Sequence, residues 1–365
     1  MRCEVDCGLL AETLAVVVST LPNRSTYPVL QNVMLEVADG SLAVAGTDLD
    51  TFVRKRLALG EKSEPGRAVV PGRKLLEMAR ELGASEVLIY TRDTSVHVEA
   101  GRNKATFAGL DPAEFPELPK LPEGGEVELP IAAVLDQFGA VSFAVSRDEG
   151  RPVMCGVNWE VTKSEMRMVA TDGHRLGLVR QKQKAGATFK AIVATKLFGL
   201  LPRGQEKVTV HCDPGRFGMV TEDTLIIGRQ IEGPYPDYNR VIPKSDKPSK
   251  AVLPIDELSA AVRRAMVFAH PVGRLTAFGF QSGKLRLEAD TPELGRSSED
   301  LDCDYSGKDV RIGFNAGYVL EILRHIDAEK VRFELQGPLA AAVVVPEGGQ
   351  PELEQTYLLM PIRLE

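Results

Sequence analysis

The sequence predicts an α+β fold made of three copies of one unit rich in antiparallel strands. A strand-like stretch that ends in an aspartate recurs at Asp48, Asp172 and Asp290, with spacings of 124 and 118 residues. Each copy opens with a helical pattern and continues with alternating stretches and a second helical pattern. Proline-rich connectors at 112–122 and 233–238 separate the copies. We therefore expect three domains, at residues 1–124, 125–249 and 250–365.

In the first copy, Leu9 to Leu21 has the periodicity of an amphipathic helix that ends at Pro22. Asp39-Gly40 supplies the turn chemistry of a hairpin between two alternating runs, 30–37 and 41–46. A second helix is expected from Pro71 to Arg80, because proline is favoured near the first turn of a helix. The remaining strands are expected at 51–59, 87–90, 95–99 and 107–110.

The second and third copies repeat this order. In the second, helices are expected at 129–145 and 195–201, a hairpin at 154–161 and 166–170, and strands at 208–212, 218–220 and 224–230. In the third, helices are expected at 253–268 and 317–325, a hairpin at 276–281 and 284–289, and strands at 331–335, 339–345 and 356–364.

Composition excludes several classes of protein. A chain of 365 residues with 44% hydrophobic and 26% charged residues is typical of a soluble globular protein, and it has no apolar run of membrane-spanning length. The acidic N-terminus does not have the pattern of a signal peptide, so we expect a cytoplasmic location. Five scattered cysteines without a CxxC pair argue against a disulfide framework or zinc site, and no cofactor is expected. The net charge of −7 requires any basic surface to be local.

The segment Val169 to Leu176 is the most informative motif, and it has two interpretations. A carboxylate and an imidazole at Asp172 and His174 are half of an acid–base pair or metal site, which allows a small-molecule hydrolase. Alternatively, Asp172 and Gly173 form a hairpin turn and His174 lines a surface groove. The sequence contains no HExxH, GxSxG or P-loop motif to support catalysis.

Two further patterns suggest binding surfaces. Arg73 and Lys196 occupy equivalent positions of their copies, 123 residues apart, on predicted helices. Such repetition predicts either a face that meets phosphates or a solvated face of mixed charge. The C-terminal run Tyr357 to Leu364 is apolar where chains commonly fray, so we expect it to complete a core strand and to line a groove for a partner.

The chain resembles the bacterial sliding clamp, the beta subunit of DNA polymerase III. The motifs that carry the resemblance are Ala170-Thr171-Asp172-Gly173-His174-Arg175-Leu176, Pro236-Asp237-Tyr238 with Arg240-Val241-Ile242-Pro243, Gly46-Thr47-Asp48-Leu49, Gly313-Phe314-Asn315 and Met360-Pro361-Ile362-Arg363-Leu364. They follow one another along the whole chain. The first and last are specific, whereas Gly-Thr-Asp-Leu alone is a weak signal.

The resemblance implies a homodimeric, head-to-tail ring, with helices lining a hole and antiparallel sheets outside. Such a clamp encircles duplex DNA without sequence preference and catalyses nothing. It tethers the DNA polymerase III alpha subunit, and also binds the clamp loader, other polymerases, ligase and repair proteins through short peptide motifs. The resemblance also implies a cytoplasmic, nucleoid-associated location, with no membrane partner and no metal ion.

The same resemblance implies roles for individual residues. DNA contacts are implied for Arg24, Arg73, Lys74 and Lys196, and Arg147 and Arg151 lie where the family often has aromatic contacts that are missing at 152–153. Ring closure is implied for Phe107, Val267 and Phe268. The groove is implied to consist of Met154, Thr171, Gly173, His174, Arg175, Leu176, Pro236, Arg240, Val241, Leu358, Met360, Pro361, Ile362, Arg363 and Leu364, with Arg175 and Arg363 on its rim.

Overall fold

The computed structural model describes residues 1–60, 63–83, 85–243, 247–349 and 352–364. One order of elements, β-α-β-β-β-β-α-β-β-β, recurs three times along them, with one added strand in the third copy. This confirms the predicted α+β class. Within these described residues, the six α-helices are α1 (Cys7–Val18), α2 (Gly72–Glu81), α3 (Ile131–Val141), α4 (Thr195–Phe198), α5 (Ile255–Met266) and α6 (Ala316–Arg324).

The strands follow the same three copies. The first copy contains β1 (Arg2–Asp6), β2 (Asn32–Ala38), β3 (Ser41–Thr47), β4 (Thr51–Ala58), β5 (Gly66–Pro71), β6 (Glu86–Arg92), β7 (Ser95–Ala100) and β8 (Asn103–Ala108). The second contains β9 (Glu126–Pro130), β10 (Gly156–Val161), β11 (Glu165–Thr171), β12 (Arg175–Lys182), β13 (Phe189–Ala194), β14 (Lys207–Cys212), β15 (Arg216–Val220) and β16 (Thr224–Arg229). The third contains β17 (Ser249–Pro254), β18 (Leu275–Gln281), β19 (Lys284–Thr291), β20 (Gly295–Asp302), β21 (Asp304–Ser306), β22 (Val310–Asn315), β23 (Lys330–Leu335), β24 (Ala342–Glu347) and β25 (Leu353–Leu359).

Contacts group the chain into two compact units. The first unit comprises residues 1–132 and 196–230, and the second comprises 133–195 and 231–365. The expected domain boundaries at 124 and 249 stay a prediction, because this grouping divides the chain by packing rather than by repeat.

Each unit contains one large and one small antiparallel sheet. In the first unit the order is β5-β2-β3-β4-β16-β15-β14-β9 in the large sheet and β1-β6-β7-β8 in the small one. In the second unit the order is β13-β10-β11-β12-β25-β24-β23-β17-β21 and β20-β19-β18-β22. Each large sheet therefore joins two successive copies, through β4–β16 with Phe52 opposite Ile227 and through β12–β25 with Leu176 opposite Leu358.

Helices pack on the sheets through apolar faces. Leu10 and Leu14 of α1 have no exposed surface, and burying each such side chain contributes about 1.5–3 kcal/mol. Gly46 on β3 lets this helix approach closely, since a Cβ there would lie 2.7 Å from Cγ1 of Val17. In the second unit Phe278 and Phe280 pack among many aliphatic side chains in one core cluster. No helix within the described ranges is long and apolar enough to cross a membrane.

Several predicted boundaries were wrong, each for a physical reason. The helix expected at 129–145 is preceded by strand β9, because Val127 and Leu129 alternate into the core while β9 pairs with β14. The helix expected at 195–201 ends at Phe198, and only i→i−3 backbone bonds continue to Leu201, before Pro202. Strand β20 was missed because its sequence, GRSSEDLD, has a single apolar residue.

Candidate functional site

The corner between β11 and β12 is built by side-chain bonds to its own backbone. The Asp172 carboxylate (Oδ1) accepts hydrogen bonds from the backbone N–H of His174 at 2.9 Å and of Arg175 at 3.0 Å. The Thr171 hydroxyl donates to the Arg175 carbonyl at 2.7 Å. Gly173 has a φ of 88°, a conformation that glycine adopts without strain. The motif thus forms the turn that its sequence predicts, and the Asp172 carboxylate is used to hold it.

The Arg175 side chain is a buried brace rather than a rim residue. Only about a tenth of it is exposed, and its guanidinium donates to the Asp172 carboxylate at 3.2 Å, the Glu321 carboxylate and the Phe143 carbonyl at 2.8 Å. The same group lies over the ring of Tyr318, 4.4 Å from its centroid. Burial lowers the pKa of Arg175, and the neighbouring acids oppose that effect. Our expectation that Arg175 lines the rim was therefore wrong, because its hydrogen-bond donors are directed into the protein.

The C-terminal tail runs along the same corner. Strand β25 pairs with β12, and beyond it the Met360 N–H donates to the His174 carbonyl at 2.9 Å. Two residues later the Ile362 N–H donates to the Gly313 carbonyl at 2.8 Å. Because residue 313 lacks a Cβ, the tail and the Leu364 side chain can lie directly against β22. Met360 and Arg363 are exposed, and Pro361, Ile362 and Leu364 are half-buried.

An apolar cluster forms the floor beside the tail. Leu176 and Leu358, which are 3% and 2% exposed, pack with Tyr238 and Val343. Both were expected to form the groove, but packing with Tyr238 of the connector leaves almost none of their surface exposed. Tyr235, Ile242 and Val345 border the same cluster, and burial raises the pKa of the Tyr235 hydroxyl.

The exposed apolar groups near this floor are Val241 and Met360, with 50% and 43% of their surface accessible. Arg240 is highly exposed and pairs with Asp237 at 3.0 Å. Pro236 and Met154 are half-buried. Sequence reasoning missed Val343, although it lies in an alternating stretch, because nothing in the sequence shows which strand will lie beside β25.

The expected basic residues of the first unit are at its surface. Arg73 donates to the Leu21 carbonyl and to the Asn23 side chain, both at 2.9 Å, and Arg24 is exposed. Lys196 pairs with the Asp48 carboxylate at 2.7 Å. Lys74 similarly pairs with a neighbouring glutamate at 2.7 Å. Such exposed pairs contribute about 0–1 kcal/mol, so a phosphate can displace the acid at little cost.

In the second unit Arg147 is exposed, whereas Arg151 is tied to the corner. Arg151 pairs with Asp148 at 2.9 Å and donates to the Asp172 carbonyl at 3.1 Å. The pair lowers the pKa of Asp148. Arg151 is therefore partly neutralised, which leaves Arg147 as the more available cation of this loop.

Both small sheets have an edge strand without a further partner among the residues described. Strand β8 pairs with β7 alone and β20 with β19 alone. Phe107 on β8 is half-buried, Val267 after α5 is 67% exposed and Phe268 is half-buried. Unpaired edges beside apolar side chains are typical of surfaces that join another chain.

The geometry gives a hydrolase no support. Both oxygens of Asp172 hold the turn and Arg175, and the His174 ring lies near Tyr318 with centroids 6.3 Å apart. Over the described ranges of the chain, no cluster of three or more His, Cys, Asp or Glu side chains could hold a metal ion. Asp172 thus acts as a structural group, and the corner with its tail is suited to binding.

Comparisons with known proteins match the same family along almost the whole chain. Family models for the N-terminal, central and C-terminal domains of the DNA polymerase III beta subunit match residues 1–119, 128–237 and 239–363. Curated relatives named beta sliding clamp, from Salmonella typhimurium and Escherichia coli, are each 30% identical over the full length of both chains.

Solved structures agree with these matches. A sliding clamp (DNA polymerase III subunit beta) from Pseudomonas aeruginosa, bound to griselimycin, is 27% identical with a TM-score of 0.95. A DNA polymerase III beta subunit from Thermotoga maritima is 26% identical with a TM-score of 0.93. Both comparisons cover all of each chain.

Proposed function

The chain belongs to the family of DNA polymerase III beta subunits, and from that premise we propose that it works as a beta sliding clamp. As a processivity factor it forms a dimeric ring that binds DNA and a polymerase. It is not an enzyme. The observation that carries the proposal is the corner at 171–176 with the C-terminal tail bonded to it, because this is where the motifs specific to the family meet.

The proposed partner site is the groove between Val241 and the tail. Val241 and Met360 offer exposed apolar surface above the buried floor of Leu176 and Leu358. Exposed apolar groups beside charged ones are typical of sites in which a few anchors supply most of the affinity. We propose that aliphatic and aromatic anchors of a short peptide bind here, and that polymerases, the clamp loader, ligase and repair proteins supply such peptides.

DNA binding is proposed for the basic residues. Arg24, Arg73, Lys74 and Lys196 support it because they are exposed on the first unit, and Arg147 and Arg151 are the candidates on the second. Contacts to phosphate are independent of sequence and easily exchanged, as sliding requires. With a net charge of −7, an acidic exterior would also keep DNA at the basic surface. We propose that this occurs at the nucleoid.

The proposed ring closes through the free edges β8 and β20 of two chains, with Phe107 of one beside Val267 and Phe268 of the other. The three family matches support a division into three domains, with one boundary between 119 and 128, around the proposed 124, and the other between 237 and 239, before the proposed 249. Replacing both Phe107 and Phe268 with Asp should give a monomer, because charges would be buried at the contact. Sedimentation measures the mass, and a dimer of the double variant would reject these residues as the contact.

The groove is tested by removing residues 360–365. We expect loss of binding to a peptide from a polymerase in a fluorescence-polarisation titration, because Met360 and the tail backbone form one wall. Sedimentation of the truncated chain should still show a dimer, because the proposed dimer contacts lie elsewhere. Full-strength peptide binding by the truncated dimer would refute the groove, and loss of the dimer would show that the tail is mainly structural.

A further inference from the structure

A small pocket of about 120 Å³ lies in the first unit, beside the hairpin turn between β15 and β16. Arg54 and Arg56 of β4 line it together with the turn residues 221–223 and with Leu121 of the connector. We call it the arginine pocket. Sites for whole drug-sized ligands are commonly about 300–1,000 Å³. The arginine pocket is therefore of a size for one functional group.

The two arginines lie on one face of the large sheet of this unit. Residues two apart in a strand project to the same side, and Arg54 lies directly opposite Leu225 of β16. Leu225 and Phe52 belong to the apolar cluster on this face. Arg54 is half-buried, whereas Arg56 is exposed. A cationic group is thus held at the border of an apolar surface.

Among the residues that the structure describes, neither guanidinium group forms a hydrogen bond or an ion pair. The acid whose charge reaches Arg54 is Glu36, which is already paired with Arg67 at 2.6 Å. Burial lowers the pKa of Arg54, the positive charge of Arg56 lowers it further, and Glu36 opposes both effects. An anion bound by the two arginines would relieve their repulsion without displacing an existing partner.

Two acids also line the pocket, and one of them has its own partners. Asp223 lies 3.4 Å from the Lys55 ammonium group and accepts a hydrogen bond from the Thr224 hydroxyl at 2.5 Å. Glu222 is exposed, so that solvent screens its charge. The positive charge of the arginines is therefore opposed mainly by Glu222, and removing that acid should strengthen the binding of an anion.

The equivalent place in the second unit is different. The two copies are related by a spacing of 124 residues, which puts Leu178 in the place of Arg54. Leu178 is buried in an apolar cluster. The same spacing puts Arg180 in the place of Arg56, and Arg180 has an acid, Glu354, at 3.8 Å. The fold therefore does not require an arginine at this place, and the two unpaired arginines distinguish the first unit from the second.

The lining favours a carboxylate that is attached to carbon. A planar guanidinium group donates two parallel hydrogen bonds to a carboxylate. Leu121 is 37% exposed, and Val220 and Leu225 add apolar surface beside it. The carbon atoms of a ligand gain free energy from contact with such surface, whereas inorganic phosphate has no carbon to bury.

We propose that the arginine pocket binds one carboxylate group through Arg54 and Arg56, with the attached carbon atoms against Leu121. A small organic acid and an acidic side chain on a protein surface both present this group. The site is independent of the proposed groove and DNA surface, because none of its lining residues belongs to either. Binding is largely electrostatic, so it weakens as salt is raised.

The test titrates the full chain with butyrate at constant ionic strength and measures saturation transfer from protein to ligand by NMR. We expect saturable binding with a Kd on the order of 1 mM. Arg54→Leu, which copies the second unit and so should fold, is expected to weaken binding by about tenfold or more. Glu222→Gln should strengthen binding by about twofold to fivefold. Arg80→Gln, at an exposed arginine of α2, is the matched control and should leave binding unchanged. Circular dichroism checks that each variant is folded.

Two blocked tripeptides, one with a central Glu and one with a central Gln between alanines, distinguish the sources of the carboxylate. Displacement of butyrate by the Glu peptide alone would support binding of an acidic side chain, and displacement by neither peptide would support binding of free acids alone. Displacement by both would show that the carboxylate is not recognised and overturn the proposal.

The proposal is also overturned if butyrate binding is not saturable, or if the native chain and Arg54→Leu bind it equally. A Glu222→Gln chain that binds butyrate no better than the native chain would contradict its electrostatic basis. Inorganic phosphate that binds more tightly than butyrate would identify a phosphate site instead.

Discussion

Two hairpin corners of this chain share one backbone but carry different side chains. In the first unit, the Thr47 hydroxyl donates to the Thr51 carbonyl at 2.8 Å and Asp48 accepts from the Thr51 N–H at 2.7 Å. In the second unit, Thr171 and Asp172 make the same bonds to Arg175, at 2.7 and 3.0 Å. We call these the first corner, residues 47–52, and the second corner, residues 171–176.

The strand beside each corner is also equivalent. Arg229 N–H donates to the Asp50 carbonyl at 2.9 Å, just as Met360 N–H donates to the His174 carbonyl at 2.9 Å. At the first corner, however, the Arg229 and Asp50 side chains form an ion pair at 3.6 Å, where the second corner has exposed Met360 and an imidazole.

The difference shows that the backbone of the corner does not determine whether it is a binding site. Hydrogen bonds of threonine and aspartate form the corner in both copies. The surface differs, because the first corner carries the Arg229–Asp50 ion pair and the second carries the exposed apolar side chain of Met360. The following predictions test this comparison, in order of decreasing effect.

The largest effect should come from Arg175, for which the first corner has the small residue Thr51. Arg175→Met removes three hydrogen-bonded contacts and leaves the largely buried Asp172 carboxylate without its cation, so we expect the free energy of unfolding to fall by about 3–5 kcal/mol. At the first corner, Lys196→Met breaks only the exposed pair with Asp48 and should cost about 1 kcal/mol or less. Urea unfolding at one protein concentration measures both, and equal losses would show that the two corners do not differ in this way.

A smaller effect is expected from copying the first corner onto the second. His174→Asp with Met360→Arg places the charges of Asp50 and Arg229 beside the groove. Peptide affinity should fall more than about tenfold, because an apolar anchor is replaced by charges that the peptide must desolvate. Fluorescence polarisation measures the loss. The reciprocal variant, Asp50→His with Arg229→Met, serves as the control and should leave affinity for the groove unchanged. Unchanged affinity of the first double variant would mean that Met360 is not an anchor.

The smallest effect concerns the tip of each corner, where Gly173 and Leu49 have φ values of 88° and 77°. Gly173→Ala should lower the free energy of unfolding by about 1–2 kcal/mol, because a side chain is strained in this conformation. Leu49→Gly relieves the same strain but increases the entropy of the unfolded chain, so a change within about 1 kcal/mol is expected. Urea midpoints compare the two, and a larger loss at Leu49 would reveal a packing role for its exposed side chain.

The sequence predicted those parts of the fold that depend on local pattern. The hairpin turns at Asp39-Gly40 and Asp172-Gly173, and helices such as α2 and α6, follow from turn chemistry and periodicity. Strand β20 was missed because its polar residues lie at a sheet edge, where burial imposes no apolar alternation.

Parts of the candidate site depend on residues far apart in the chain. The burial of Arg175 requires Glu321, 146 residues away, and no spacing rule links the two. Leu176 was predicted as a groove residue, but its covering by the Tyr238 connector could not be seen before the tertiary contacts were known. The motif predicted where the corner lies, but which of its side chains are exposed depends on packing against distant parts of the chain.

The ladder between β4 and β16 has a consequence for limited proteolysis. These strands lie on either side of the connector at 112–122, and their backbones are paired from Thr51 to Lys55. A protease that cuts once within this connector would break the covalent chain but leave the ladder in place. The two fragments should then migrate together in a native gel and separate only in denaturant, since the strands rather than the connector hold them together.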